Sequence, residues 1–271
     1  MTRLPHSTAV RHPRRVRPWL VVAAVSALLV GAGCGSSNAD GGDDGATDAR
    51  EVTLTVHAAA SLTSTFTEIA EKFESENPGV TVTLNFGGSS DLVAQIQSGV
   101  PADVFASADL KNMDKLGELA VAPEDFATNT LEIVVPPDNP ADISSLADLA
   151  GSDVRLVICA VEVPCGNATA QVAEAAGVTL SPVSQEQSVT DVLGKVASGE
   201  ADAGLVYVTD VKAAGDDVEG ITFPESGSVV NTYPITVVEG SEHEKVAQQF
   251  VELVLAKLGQ QILADAGFGK P

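Results

Sequence analysis

The sequence predicts an α/β protein built as two α/β lobes joined by a two-strand hinge. Three observations carry that expectation. From residue 52 onward, short β-rich runs alternate with stretches of helical periodicity, the pattern of strands covered by helices. The chain has 271 residues, enough for two lobes of ordinary size with a sizeable core. Two segments, near Val135-Pro136 and near Thr232-Tyr233-Pro234, offer places for the chain to cross from one lobe to the other and back.

VTLTV at 52–56 is the first strand. Leu62, Phe66, Ile69, Ala70 and Phe73 then fall at helical spacing within 61–77, and Asn77-Pro78-Gly79 ends that helix. VTVTLNF at 80–86 is the next strand. A helix follows Gly87-Gly88 over 89–98, with Leu92, Val93 and Ile96 inward. Residues 103–106 read as strand, 108–120 as helix, and LEIVV at 131–135 as a strand stopped by Pro136-Pro137. The pattern repeats with a strand at 154–158, helices at 166–176 and 189–198, a strand at 203–208 and short strands at 221–223 and 233–238. A long helix over 244–258 places Val246, Phe250, Val251, Val254 and Leu258 on one face. Strand–helix alternation implies mostly parallel sheet. Two crossings divide the chain into lobe one, 51–135 plus 234–271, and lobe two, 136–233. Ligands of open α/β sheets sit beyond the carboxyl ends of the strands, which here is the cleft between the lobes.

Residues 1–33 read as an export signal. Arg3, Arg11, Arg14, Arg15 and Arg17 come first, with no acid among them. A twelve-residue apolar run, 19–30, and small residues follow, which is the signal pattern. The run is short for a membrane span. Cys34, directly after Ala32-Gly33, resembles a bacterial lipobox, in which the cysteine is lipidated and becomes the first mature residue. Gly31 stands where such motifs carry Leu or Val, and the other reading is a signal cleaved nearby with an ordinary thiol at Cys34. Residues 34–50 are small, polar and acidic. They cannot bury enough apolar area to fold and read as a lipid-anchored flexible tether spanning roughly 20–24 Å. The expected location is the extracytoplasmic side of the cell membrane.

The chain carries 15 Lys+Arg against 37 Asp+Glu, a net charge of −22, and loss of the signal removes only positive charge. That balance excludes nucleic acid as the main partner, because a polyanion needs a basic face. Aromatics make up only 4%, which argues against a sugar site built on stacked rings. Cys159 and Cys165 remain after Cys34. In an oxidising compartment they pair as a disulfide that clamps the loop CAVEVPC, or stay as two buried thiols. No Cys/His cluster has zinc spacing. There is no G-x-S-x-G elbow, no GxxxxGK[ST] loop, and no nucleophile beside a base. No catalytic residue, cofactor or resident metal is expected, and the chain does not read as an enzyme.

Four places share one design, a strand end followed by small or polar residues and a helix start. They are Ala60-Ser61, Gly88-Ser89-Ser90-Asp91, Pro164-Cys165-Gly166-Asn167 and Ser188-Val189-Thr190. A helix start offers unpaired N–H groups and a partial positive charge, a ready anion site. Several converging on one cleft hold a small multivalent anion without Lys or Arg. Taken singly, Ser61 and Ser89 also read as plain N-caps.

Together these residues resemble a known family. HAAASLTSTFTEIAEKFE at 57–74, NFGGSSDLVAQIQSGVPADVFASAD at 85–109, VPCG at 163–166, the VTDVL…GEADAGLVYVTD stretch at 189–210, FPESGSVVNTYPITVVEGSE at 223–242 and QQILADAGF at 260–268 are similar to the molybdate-binding proteins of bacterial ABC importers. The resemblance covers nearly all of 52–268. It implies a type II periplasmic-binding-protein fold, a monomer, and a molybdate or tungstate ligand held by neutral donors and delivered to ABC permease membrane subunits. Motif by motif, it implies a hydroxyl and a backbone N–H from each of Ser61 and Ser89, backbone N–H groups from Cys165 and Val189, and the phenol of Tyr207. Position 165 is often Ala in the family. A donor-only site suits a fully deprotonated oxyanion, whereas a protonated phosphate brings a donor with no acceptor to meet, at a cost of about 1–3 kcal/mol. Sulfate differs from molybdate only in size, so cleft radius must separate them. The alternative is the same fold binding sulfate or phosphate. Two carboxylates bear on that choice: Asp91, in the first helical turn after Ser89, and Glu162, in the Cys159–Cys165 loop. Tyr207 also reads as a core aromatic on a strand.

Overall fold

A computed structural model describes residues 51–271; the export signal at 1–33, Cys34 and the 34–50 tether lie outside the described residues. The strands in chain order are β1 (Val52–Ala59), β2 (Val80–Gly87), β3 (Val104–Ala106), β4 (Ala120–Asn129), β5 (Leu131–Val135), β6 (Leu156–Cys159), β7 (Ser184–Glu186), β8 (Ala203–Tyr207), β9 (Glu219–Ile221) and β10 (Asn231–Val238). The helices are α1 (Thr63–Glu76), α2 (Ser89–Gln97), α3 (Leu110–Leu116), α4 (Pro164–Ala176), α5 (Val189–Ala197), α6 (Val208–Ala214), α7 (Glu244–Leu255) and α8 (Lys257–Ala266). Among the described residues, no helix is long and apolar enough to cross a membrane.

The strands form two five-stranded sheets, ordered β2-β1-β3-β10-β4 and β7-β6-β8-β5-β9. Each sheet is mixed rather than mostly parallel. β1 runs parallel to β2 and β3, and β6 parallel to β7 and β8. β10 is antiparallel to β3 and β4, and β5 is antiparallel to β8 and β9. The antiparallel members are the strands that carry the chain between sheets. The change of sheet falls at Thr130, between β4 and β5, so the strand 131–135 pairs in the second sheet and not with 51–129. On the return, β10 starts at Asn231 and joins the first sheet.

β4 has no signature in the sequence. Residues 121–125 are exposed and include Pro123, Glu124 and Asp125, none of them strand formers; an edge position tolerates them because one side needs no partner. Pro234 sits within β10, a central strand, at a register shift against β4; the bulge absorbs its missing N–H. The long helix expected over 244–258 is two helices. Ala256 is extended, with ψ 167°, and Gly259 lies so close to the Leu253 carbonyl that a Cβ would come within 2.4 Å of it.

Each sheet has its own core. Val157, Val172, Val192, Leu205 and Val206 pack about the second sheet. About the first, Phe73, Phe250, Phe66, Phe126 and Tyr233 form a chain of ring contacts with centroids 5.4–6.2 Å apart. Tyr233 also meets Phe268 at 5.4 Å and, from the other sheet, Tyr207 at 6.0 Å, both edge-on. Such pairs add about 0.5–1.5 kcal/mol beyond area burial. Tyr207 is therefore braced by rings reaching back into the first core.

Candidate anion site

Strand register places the site. β1 and β2 pair without a shift from Val52↔Val80 to Ala59↔Gly87, so their carboxyl ends are level. The next residues are the single 3-10 turn Ala60–Leu62 and helix α2, which put Ser61 and Ser89 side by side. In the second sheet β6, β7 and β8 run parallel, so the starts of α4 and α5 and the end of β8 face the same way. Ser61, Ser89, Cys165, Val189 and Tyr207 all line one cavity with about 200 Å³ of atom-free space, together with Gly88, Ala108 and Pro164. Every lining residue except Gly87 is buried.

Neither serine is a helix cap. The N-cap of α2 is Gly88, and Ser89 Oγ instead accepts from the Ala108 N–H at 3.0 Å. Ser61 Oγ shares a 3.0 Å hydrogen bond with the Tyr233 hydroxyl. Tyr207 Oη accepts from Asn231 Nδ2 at 3.0 Å. Burial raises the pKa of both phenols, with neighbouring acids adding to it, so each keeps its proton. Ser89 and Val189 open α2 and α5 and Cys165 is second in α4, positions whose N–H groups have no intrahelical acceptor. The lining holds no charged side chain. Hydroxyls and N–H groups without a cation suit a small anion that only accepts.

The structure joins Cys159 to Cys165 by a disulfide, tying the end of β6 to the start of α4. The loop between them folds back tightly, and a Cβ on Gly166 would lie 1.9 Å from the Ala160 carbonyl. Asp91 and Glu162 are exposed and lie outside the lining. Among the described residues, no group of three His, Cys, Asp or Glu is placed to hold a metal ion.

Several contacts around the site were not expected from the sequence. Gly88 packs so closely on the Gln187 carbonyl that a Cβ would sit 2.0 Å from it; the Gly87-Gly88 pair is the only sequence signal. Asn112 Nδ2 reaches the Glu162 carbonyl at 3.4 Å and Lys111 Nζ reaches Asn167 Oδ1 at 3.4 Å, so α3 touches the disulfide loop and α4 beside the cavity. Asp109 caps α3 with Oδ1, while its buried Oδ2 makes no hydrogen bond within the protein; burial raises its pKa, against its bonds from Asn112. Asp210 is buried beneath Tyr207 and accepts the Tyr207 N–H at 2.9 Å. Nothing in sequence spacing marks Asn231, whose partners lie far along the chain, whereas Asp210 bonds locally as the third residue of α6.

A level row of helix starts across two α/β sheets is an arrangement suited to holding a small solute. Residues 54–269 match the family of bacterial extracellular solute-binding proteins, and the chain belongs to that family, one of binding proteins and not of enzymes. Within it, the chain is a member of the molybdate-binding ModA group. It is 47% identical to the molybdate-binding protein ModA of Mycobacterium tuberculosis over 93% of this chain and 98% of that one. The Escherichia coli protein of the same name is 33% identical over 93% of this chain and 98% of its own length. Among solved structures, the periplasmic molybdate-binding protein of Azotobacter vinelandii superposes with a TM-score of 0.71 at 24% identity, over 80% of this chain and 99% of that one.

Burial pushes the Asp210 carboxyl up to about 7, against the Tyr207 N–H, which lowers it. The folded protein then holds a proton that the unfolded chain has released, so this contribution to stability is present at low pH and is lost as pH rises through about 7. Asp210→Asn keeps the acceptor and removes the titration. Thermal melts at about pH 5 and about pH 8 should show wild type losing stability relative to the variant at the higher pH; parallel shifts in the two proteins would contradict the assignment.

Proposed function

We propose that this protein captures molybdate, and with it tungstate, in the cavity between its two sheets and delivers it to the membrane subunits of an ABC importer. The observation that carries this reading is the convergence of Ser61, Ser89, Cys165, Val189 and Tyr207 on one buried cavity lined without a charged side chain, in a chain whose relatives are named for molybdate. Ser61 and Ser89 each give a hydroxyl and an N–H, Cys165 and Val189 give N–H groups, and Tyr207 gives its phenol. Hydrogen bonds to a charged group are worth about 1.5–3 kcal/mol each. Five to seven of them give roughly 8–20 kcal/mol before desolvation and ordering costs, compatible with micromolar to nanomolar affinity.

Donors come from both sheets, so a bound anion favours the closed arrangement of two lobes moving about the crossings at Thr130 and before β10. The permease then reads closure at the cleft rims. We further propose that the receptor is a monomer held outside the cell membrane by a lipid on Cys34 and the 34–50 tether. Exclusion of protonated phosphate follows from a donor-only lining, and exclusion of sulfate from cavity size.

Titration calorimetry with molybdate, tungstate, sulfate and phosphate tests the reading. Near-stoichiometric heat with the first two alone is expected; heat with sulfate or phosphate alone would keep the fold and replace the cargo. Ser61→Ala, Ser89→Ala and Tyr207→Phe should each weaken molybdate by about 1–3 kcal/mol, and unchanged affinity in all three would overturn the site. Gly88→Ala removes no donor, yet the added Cβ meets the Gln187 carbonyl and holds the loops apart. It should weaken molybdate about ten- to hundred-fold; wild-type affinity would show that closure does not need the glycine.

A further inference from the structure

The three hydroxyls of the cavity are not equivalent in how their protons are directed, and two of them are governed from one place. Asn231, the first residue of β10, is buried and its Nδ2 lies 2.9 Å from the Ala108 carbonyl and 3.0 Å from Tyr207 Oη. The carbonyl can only accept, so it fixes which end of the amide faces it. The second N–H then points at the phenol. Tyr207 accepts that hydrogen bond, and its own proton must go elsewhere. The same Ala108 donates its backbone N–H to Ser89 Oγ at 3.0 Å, which likewise leaves the Ser89 proton free. Ser61 differs: either it or Tyr233 can donate in their shared bond.

We propose that Asn231 is a positioning and specificity-determining residue: by giving both amide hydrogens, one to Ala108 O and one to Tyr207 Oη, it sets the Tyr207 phenol as a donor toward the cavity. This rests on the reading of the cavity as an oxyanion site and adds a layer behind its ligands. Asn231 belongs to the first sheet and Tyr207 to the second, so the bond also ties the phenol to the lobe that carries Ser61 and Ser89. An oxyanion with acceptors alone completes the set, since Ser61 then gives it a proton and takes one from Tyr233. A solute that brings a proton of its own finds Tyr207 unable to turn and accept it while Asn231 holds its lone pair. Tyr207 thereby contributes to selection against hydrogen phosphate, and Ser61, whose bond with Tyr233 can run either way, is the one hydroxyl left able to accept.

A double-mutant cycle tests this on the full-length protein by calorimetry with molybdate and with phosphate. Asn231→Leu should weaken molybdate about ten- to hundred-fold in wild type, and less than about twofold in a Tyr207→Phe background, where no phenol proton remains to direct. Asn231→Asp offers an acceptor, lets the phenol turn from the cavity, and should lower the ratio of molybdate to phosphate affinity below that of Asn231→Leu. Equal losses in both backgrounds, or an unchanged anion ratio in Asn231→Asp, would overturn the inference, and thermal melts of each variant separate either result from misfolding. Wild type that binds molybdate while the cycle fails removes only this inference. Wild type silent toward both anions removes the oxyanion reading and this inference with it.

Discussion

On the proposed reading, a buried anion without a neighbouring cation must have its charge answered by dipoles, and that requirement orders the rest of the site. Water solvates a dianion with many freely turning donors. The proposed site has to replace them with a few donors whose orientation is fixed in advance, or desolvation outweighs the hydrogen bonds gained. Fixed donors come cheaply from helix starts, whose N–H groups have no intrahelical acceptor. They come less cheaply from hydroxyls, which rotate, and so Ser89 and Tyr207 are each held by a donor behind them.

The sheets exist in the right form to meet this requirement. Because β1 and β2 pair level to their last residues, the turns after them open side by side. Three parallel strands in the second sheet do the same from across the cavity. Small residues then let the two sides approach. Gly88 against the Gln187 carbonyl leaves no room for a Cβ between the two sides, and Gly166 against the Ala160 carbonyl leaves none within the second. The disulfide from Cys159 to Cys165 limits how far the α4 start can move from the β6 end, and the ring contacts from Phe66 to Tyr207 connect the site to the first core.

Much of this was legible in the sequence, for local reasons. Leu62, Phe66, Ile69 and Phe73 announce α1 by their spacing, and the strand-end serines announce the helix starts. What was hidden depended on partners distant in the chain. β4 is a strand only because β10 pairs with it, and its exposed 121–125 segment carries no strand signal. The change of sheet at Thr130 precedes the prolines at 136 and 137, because strand pairing and not a turn residue sets the crossing. The break at Ala256 comes from Gly259 packing onto the preceding helix. Asn231 gains its meaning from Ala108 and Tyr207, 123 and 24 residues away. The N-cap reading of Ser61 and Ser89 was reasonable for each alone and gives way only when their hydroxyls are seen bonded to Tyr233 and Ala108.

On the proposed reading, neutral donors from both sheets meet on one tetrahedral dianion. A crystal structure with tungstate, phased on the anomalous signal of tungsten, tests it most directly. A single strong peak is expected, whose oxygens, once placed, lie within hydrogen-bonding reach of the Ser61, Ser89 and Tyr207 hydroxyls and the Cys165 and Val189 N–H groups. A peak elsewhere, or one contacted by only one sheet, would contradict it.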